Sequence, residues 1–349
     1  MSFKIQSKII SRRFKPFIIA EMSGNHGKSF EKAMKIVELA AESGADAIKL
    51  QTYTPDTMTL DINEGDFVIQ DKNNLWYGKS LYELYTEAFT PWEWHKPIMK
   101  YANKLGLLCF STPFDNTSVD FLEELDVPAY KIASFENLHF PLLKKVASTG
   151  KPMIISMGMS TLDEITQIIE YINDFGCNNY AILKCTSSYP AAPQESNVST
   201  IADMREKFDC EVGLSDHTPG IGVAVASIVY GASIIEKHFT LDKADGAVDS
   251  TFSLDPNGLK LLVKETKIAW EAIGKINYGP TESEYGSIKR RRSIYVSETI
   301  KKGEIFNSSN LKIIRPGFGL APKYYDQILG KRVNRDLEKG TPVSWEMFQ

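Results

Sequence analysis

The feature that most constrains this 349-residue chain is an alternation: from Phe17 onward, eight short β-rich runs are separated by longer stretches of helical periodicity. The runs are Phe17-Ala20, Ala45-Leu50, Leu107-Phe110, Ala129-Ile132, Pro152-Ile155, Tyr180-Leu183, Glu211-Leu214 and Ala232-Ile235. Most are continuously apolar, as strands covered on both faces must be. Eight β-then-α units predict a (β/α)8 TIM barrel, with the last helix near 257–273. Helix starts carry their own chemistry. In Thr90-Pro91-Trp92-Glu93 and Thr161-Leu162-Asp163-Glu164, a threonine oxygen and a carboxylate three residues on are set to satisfy free amides. One connection breaks the rhythm: about forty residues separate the second run from the Trp92 helix, and they carry Leu75-Trp76-Tyr77, Tyr82 and Tyr85. A connection that long is usually functional.

Past Gly279-Pro280 the pattern changes to short β-like runs with turns, including Ser293-Val296, Lys301-Lys302-Gly303 and Lys339-Gly340-Thr341-Pro342. The division expected is therefore a barrel over 1–274, a linker over 275–286 and a small β-rich domain over 287–349. The net charge of −4 hides an asymmetry: 287–349 holds 13 Lys and Arg against 6 Asp and Glu, or +7, leaving −11 for the rest. No apolar run approaches the ~20 residues of a membrane span, and the N-terminal basic stretch is followed by too short an apolar run for a secretion signal. The four cysteines show no paired spacing and suit a reducing compartment, so a cytoplasmic protein with buried thiols is expected. Lys289-Arg290-Arg291-Arg292 lacks interleaved aromatics and reads as a solvated face, not a nucleic-acid patch.

In a barrel of this kind chemistry occurs where strands end. One to four residues past the runs stand Glu21, Lys49 and Gln51, Ser111, Lys131 with Ser134 and Glu136, Ser156, Lys184 with Ser187, Ser215 and His217, and Glu236-Lys237-His238. Each serine alone also fits a cap or turn. Lysines directly after buried strands need an anionic partner, because an unpaired ammonium there loses hydration without return. Lys49, Lys131 and the hydroxyls thus point to a ligand bearing phosphate and carboxylate. His217 and His238 end neighbouring strands about 4.8 Å apart, so two imidazoles are placed either to share a divalent cation or to be satisfied by hydrogen bonds. Glu21 and Glu136 are candidates for proton transfer, or else partners of the lysines. A Schiff-base lysine would leave the histidines idle.

These residues resemble a known family. Ala20-Glu21-Met22-Ser23-Gly24-Asn25-His26, Lys49-Leu50-Gln51-Thr52, Phe110-Ser111-Thr112-Pro113-Phe114, Lys131-Ile132-Ala133-Ser134, Gly213-Leu214-Ser215-Asp216-His217-Thr218 and Glu236-Lys237-His238-Phe239-Thr240 are similar to the motifs of the sialic acid synthase family. The likeness runs nearly end to end and includes an antifreeze-like (SAF) C-terminal domain. Within the family, the stretches 49–59, 75–79 and 90–95 resemble the branch that makes pseudaminic acid. Gly27 stands where neuraminate synthases often carry Glu, so no role resting on that Glu is carried over, and the departure favours a different sugar.

The resemblance implies a metal-assisted condensation of phosphoenolpyruvate with an open-chain N-acetylated amino sugar, releasing phosphate and a nine-carbon ulosonic acid. It implies that His217 and His238 bind Mn2+, with Mg2+ or Co2+ as other choices. It assigns Lys49, Lys131, Ser134, Ser156, Ser187 and Ser215 to phosphoenolpyruvate, although Ser187 replaces an Asn of neuraminate synthases. Gln51, Tyr189 and Asp249 would contact the sugar, and Glu136, ahead of Glu21, would move protons. In the family the C-terminal domain of one subunit covers its partner's barrel mouth, so a domain-swapped homodimer is expected, with Arg315 of Ile314-Arg315-Pro316-Gly317 inserted towards the sugar. The rival readings are a neuraminate or legionaminate synthase and, from another class, a non-catalytic glycan-binding protein.

Overall fold

Each of the eight runs becomes a strand in the computed structural model, which describes residues 3–72 and 74–349. A short antiparallel hairpin comes first, β1 (Phe3–Ile5) and β2 (Lys8–Ile10). Then follow β3 (Phe17–Glu21), β4 (Ala47–Thr52), β5 (Leu108–Pro113), β6 (Tyr130–Ile132), β7 (Met153–Ser156), β8 (Tyr180–Cys185), β9 (Glu211–Asp216) and β10 (Ile234–His238). These eight run parallel in sequence order, and β10 pairs with both β9 and β3, so the sheet closes into a barrel with no free edge.

Side chains alternate across each strand, which divides the apolar residues into two cores. Ile18, Ile48, Ile132, Ile155, Ile182, Leu214 and Ile235 face outward beneath the helices. Phe17, Ile19, Ala47, Phe110, Ala129, Ile154, Ala181, Leu183 and Ile234 face inward and pack with Phe3, Ile5 and Ile10 of the hairpin. That inner cluster fills the barrel from its N-terminal end. Whatever is polar and inward-facing must therefore collect above it, at the C-terminal mouth.

The strands run further than their apolar stretches. Glu21, Ser156, Ser215 and the Glu236-Lys237-His238 segment, read from sequence as lying past the strands, are strand residues. The backbone ladder continues where the hydrophobic pattern stops, because the inward positions there, Glu21, Ser156, Ser215, Glu236 and His238, are polar instead of apolar. Helix starts were legible unevenly. Thr161 forms the expected reciprocal cap with Glu164, and the last barrel helix, Pro256–Ile273, begins with Asp255 accepting from the Gly258 amide at 2.7 Å. Before the Trp92–Lys104 helix, however, Pro91 takes the cap position, and the Thr90 hydroxyl instead lies 3.1 Å from His26 Nε2. The long connection contains a single turn at Pro55–Met58 and a capped helix at Leu81–Ala88.

The chain divides into two compact units, one reaching to Gly274 and the other spanning Lys275–Gln349. The second has its own core of Ile294, Val296, Ile300, Phe306, Leu311, Ile328, Val333, Leu337, Val343 and Met347. Its regular sheet is one antiparallel pair, β11 (Ser293–Val296) with β12 (Leu311–Ile314), extended by isolated bridges such as Ile300 with Leu337 and Val333 with Phe348. The Lys289–Arg292 run is exposed, and Arg292 donates to the Ile313 carbonyl at 3.1 Å. Among the described residues no helix is long and apolar enough to cross a membrane.

Gly213 faces into the barrel between β8 and β10, where a Cβ would lie 2.4 Å from the Ile234 carbonyl oxygen and 2.7 Å from a Leu183 methyl. Gly222, in the first turn of the Gly222–Val229 helix, has open space around it. Gly213→Ala should therefore lower unfolding free energy by about 1–3 kcal/mol in urea denaturation, whereas Gly222→Ala should leave it unchanged or raise it by up to about 1 kcal/mol. Equal stabilities for the two variants would contradict this barrel packing.

Candidate active site

The polar layer begins one inward position above the apolar plug on nearly every strand. Ile19 is followed by Glu21, Ala47 by Lys49 and Gln51, Phe110 by Thr112, Ala129 by Lys131, Ile154 by Ser156, Leu183 by Cys185, Gly213 by Ser215 and His217, and Ile234 by Glu236 and His238. Most of these side chains line one pocket, joined by Ser134 and Tyr189 from the loops after β6 and β8. The structure thus brings together Glu21, Lys49, Gln51, Lys131, Ser134, Ser156, Tyr189, Ser215, His217 and His238 of the residues selected from sequence. Ser111, Lys184 and Lys237 fall on the other side of their strands: Lys237 bonds Asp216 at 2.7 Å, and Ser111 bonds Thr52 at 2.6 Å.

Two buried lysines dominate the floor. Lys49 Nζ lies 2.6 Å from Glu21 Oε2, 3.7 Å from Glu236 Oε1 and 2.9 Å from the Thr112 hydroxyl. Lys131 Nζ donates to the Ser156 hydroxyl at 2.7 Å and to the Ile132 carbonyl at 2.9 Å, and lies 3.8 Å from Glu236 Oε1. Glu236 is therefore shared between both ammonium groups, with Ser215 adding a hydroxyl at 3.4 Å. Burial alone would raise its pKa, but Lys131 and Lys49 outweigh that and hold the carboxylate ionised, below its ordinary range. Glu21 behaves differently. Burial, opposed by Lys49, pushes it up to about 7, and its other oxygen accepts from Gln51 at 3.0 Å. Burial also lowers the pKa of Lys131, whereas Lys49, despite burial, is raised by Glu21 and Glu236.

Beside Lys131 the loops after β6, β7 and β8 present hydroxyls around a glycine. A Cβ at Gly158 would meet Ser187 Oγ at 2.3 Å and Ser134 Oγ at 2.6 Å, so only glycine leaves both hydroxyls in place. The Gly158 amide donates to Ser134 Oγ at 3.1 Å, and buried Asn137 ties the loops together through the Ser156 carbonyl and Ser160 hydroxyl. Ammonium, hydroxyls and a close backbone form a cradle suited to phosphate oxygens.

His217 and His238 face each other across 5.3 Å between ring centroids. The Thr186 carbonyl holds His217 Nδ1 at 2.9 Å, leaving its Nε2 for other partners. Burial lowers the pKa of His238, and its Nδ1 is buried without a hydrogen-bond partner, since Asp249 Oδ2 stands 3.7 Å away. Among the described residues no three His, Cys, Asp or Glu side chains are arranged to hold a metal by themselves. Two adjacent imidazoles, one kept neutral and one with a fixed tautomer, nonetheless fit a divalent ion whose remaining ligands come from substrate and water. Asp249 accepts from Ser23 and lies behind His238, away from the pocket wall. Tyr189 packs beside both imidazoles, its ring tilted 4.4 Å from His217 and edge-on 6.3 Å from His238.

Glu136 lies beyond the pocket wall in the loop after β6, where burial, opposed by Lys131, pushes it up to about 7, and its Oε2 has no hydrogen-bond partner. Arg315 belongs to the C-terminal unit and follows β12 directly. Sequence reasoning picked out Glu236, the anionic centre of the floor, as a strand-end residue but gave it no role, and it passed over Cys185, whose sulfur lies 3.8 Å from Ser187 Oγ and 3.9 Å from His217 Nδ1. Period-two alternation would have placed both inside, because each shares an inward face with a selected neighbour.

Comparison with known proteins matches the NeuB family model to residues 36–278 and the SAF domain model to residues 291–349. A pseudaminic acid synthase of Campylobacter jejuni is 45% identical over 96% of this chain and 97% of its own. An N,N'-diacetyllegionaminic acid synthase of Legionella pneumophila is 36% identical over 95% of this chain and 94% of its own. The crystal structure of an N-acetylneuraminic acid synthetase from Leptospira borgpetersenii superposes with a TM-score of 0.73 at 28% identity, covering 82% of this chain and 95% of that one. A family model spanning most of the barrel, and relatives matching almost end to end, establish that this chain belongs to the NeuB family.

Proposed function

We propose that the chain is a pseudaminic acid synthase, condensing phosphoenolpyruvate with 2,4-diacetamido-2,4,6-trideoxy-L-altrose and water to give pseudaminic acid and phosphate. One observation carries this reading. A chain 45% identical to such a synthase over nearly its whole length keeps two buried lysines and a ring of hydroxyls at one barrel mouth. The lower identity to the legionaminic acid enzyme, 36%, favours this sugar over that one.

In this reading the phosphate of phosphoenolpyruvate lies against Lys131, Ser134, Ser156, Ser187 and Ser215, with Lys49 balancing its carboxylate. The cradle fixes C3 of the donor beneath the aldehyde, and holding two reactants in register is itself a large part of catalysis. C3 bonds to the aldehyde carbon as its C=O π bond opens and the oxygen takes up a proton, water adds at C2 and gives up a proton, and the C2–O bond to phosphate breaks as the remaining C2 hydroxyl passes its proton to phosphate and becomes the ketone. A divalent ion held by His217 and His238, Mn2+ or else Mg2+ or Co2+, would supply Lewis-acid polarisation of the aldehyde oxygen. Gln51 and Tyr189 would orient the sugar, and Asp249 would reach it or act through His238. Glu136, its pKa pushed up to about 7 by burial, would take the proton of the attacking water, with Glu21 as second choice. Homodimerisation, Arg315 as a sugar contact, and a cytoplasmic setting suited to four free buried cysteines complete the proposal.

The test is phosphate release from phosphoenolpyruvate with a panel of open-chain amino sugars, with and without chelator. Turnover should be highest with the trideoxy diacetamido hexose, stop on chelation and return with Mn2+. Sugar binding without phosphate release would instead establish the glycan-binding alternative. The proton-transfer role has its own signature. Because Glu136 acts as a base, kcat/KM should rise from pH 6 to pH 8 through about 7. Glu136→Gln should remove that limb and lower kcat by about 10²-fold or more. An unchanged limb in the variant would exclude Glu136 from this step.

A further inference from the structure

The long connection between β4 and the Trp92–Lys104 helix has a use that the phosphate cradle does not explain. Trp76, part-way along it, donates its indole N–H to the Val248 carbonyl at 3.1 Å, and its ring lies 6.3 Å from Tyr189. Val248 belongs to the loop after β10, and Tyr189 to the loop after β8. In barrel order, β4 and β8 stand on opposite sides, four strands apart in either direction. Val248 follows β10, two strands from β4, and Tyr189 leans to His217 and His238 at the ends of β9 and β10, so Trp76 stands at the rim of the mouth beside a ring that lines the pocket. It remains half-buried there, with part of its face open.

The rings form a row leading outward from the chemistry. Tyr189 sits 4.4 Å from His217 and 5.5 Å from Phe252, and Trp76 stands one ring further out. An aldehyde carbon placed at the histidines sends the rest of an open-chain hexose towards the mouth, bringing its far end to this second ring. The indole N–H is spent on Val248, so what Trp76 offers a ligand is an apolar face.

We propose that Trp76 is a specificity-determining residue: it borders the outer part of the sugar site and selects a hexose ending in a methyl group over its hydroxymethyl counterpart. This rests on the functional reading above and extends it to the carbon furthest from the bond that forms. A hydroxymethyl against the indole face would lose hydration and find no partner, whereas a methyl is better buried there. Apolar pockets distinguish such pairs by about tenfold or more in kcat/KM.

The experiment compares kcat/KM for two open-chain diacetamido hexoses differing only in CH3 or CH2OH at the terminal carbon, in the full-length enzyme and two variants. Trp76→Phe keeps an apolar face and loses the N–H, while Trp76→Gln keeps an N–H donor and loses the face. The ratio between sugars does not depend on the fraction of folded enzyme. Wild type and Trp76→Phe should both prefer the methyl sugar by about tenfold, and Trp76→Gln should bring the ratio near one, with KM for phosphoenolpyruvate unchanged throughout. If Trp76 only fastens the loop, both variants lose rate equally on both sugars at a constant ratio, which overturns the inference. A wild type that turns over neither sugar refutes the synthase reading and this inference with it.

Discussion

Two ammonium groups buried at the C-terminal ends of parallel strands are the constraint around which the barrel mouth is organised. Lys49 is 3% exposed and Lys131 2%, and no such group is tolerated without compensation, since each loses hydration worth several kcal/mol. Glu21 and Glu236, with the Thr112 and Ser156 hydroxyls, supply that compensation from within the same ring of strands. Their unequal pKa behaviour then matters. Glu236 stays charged between the lysines while Glu21 hovers near neutrality, so the floor holds a net positive charge that an anionic three-carbon donor satisfies.

Everything beneath that layer serves to keep it in place. The apolar plug, sealed from below by the β1–β2 hairpin, keeps water from entering under the lysines, and the close approach at Gly213 sets the distance between β9 and its neighbours. The same economy governs the loops. Gly158 permits Ser134 and Ser187 to converge, and Asn137 fastens the loops that carry the cradle. Stability and function are separated along each strand by one two-residue step, as on β9, where Gly213 packs against Ile234 and Leu183 and Ser215 lines the pocket.

The fold was legible because strand burial on both faces leaves a strong local signal, and eight such signals in order admit few architectures. Ends were less legible: the apolar run of β10 stops at Ile235, whereas the strand continues through His238. The candidate site was visible as residue types near strand ends, but which face each residue takes depends on the pleat. Counting in twos separates Glu236 and Cys185, inside, from Lys237 and Lys184, outside. Contacts made across loops were beyond reach. Nothing local to Trp76 announces Val248, and nothing near Asp249 announces that it stands behind His238.

The most direct test of the buried cationic floor is calorimetric titration of phosphoenolpyruvate into the wild-type enzyme and Lys131→Met, which keeps the length of the side chain and removes the charge. Truncating one member of a buried charged network costs about 2–5 kcal/mol, so affinity should fall by about a hundredfold while the circular dichroism spectrum is preserved. Equal affinity in a folded variant would mean that the donor does not bind at this rim of the barrel.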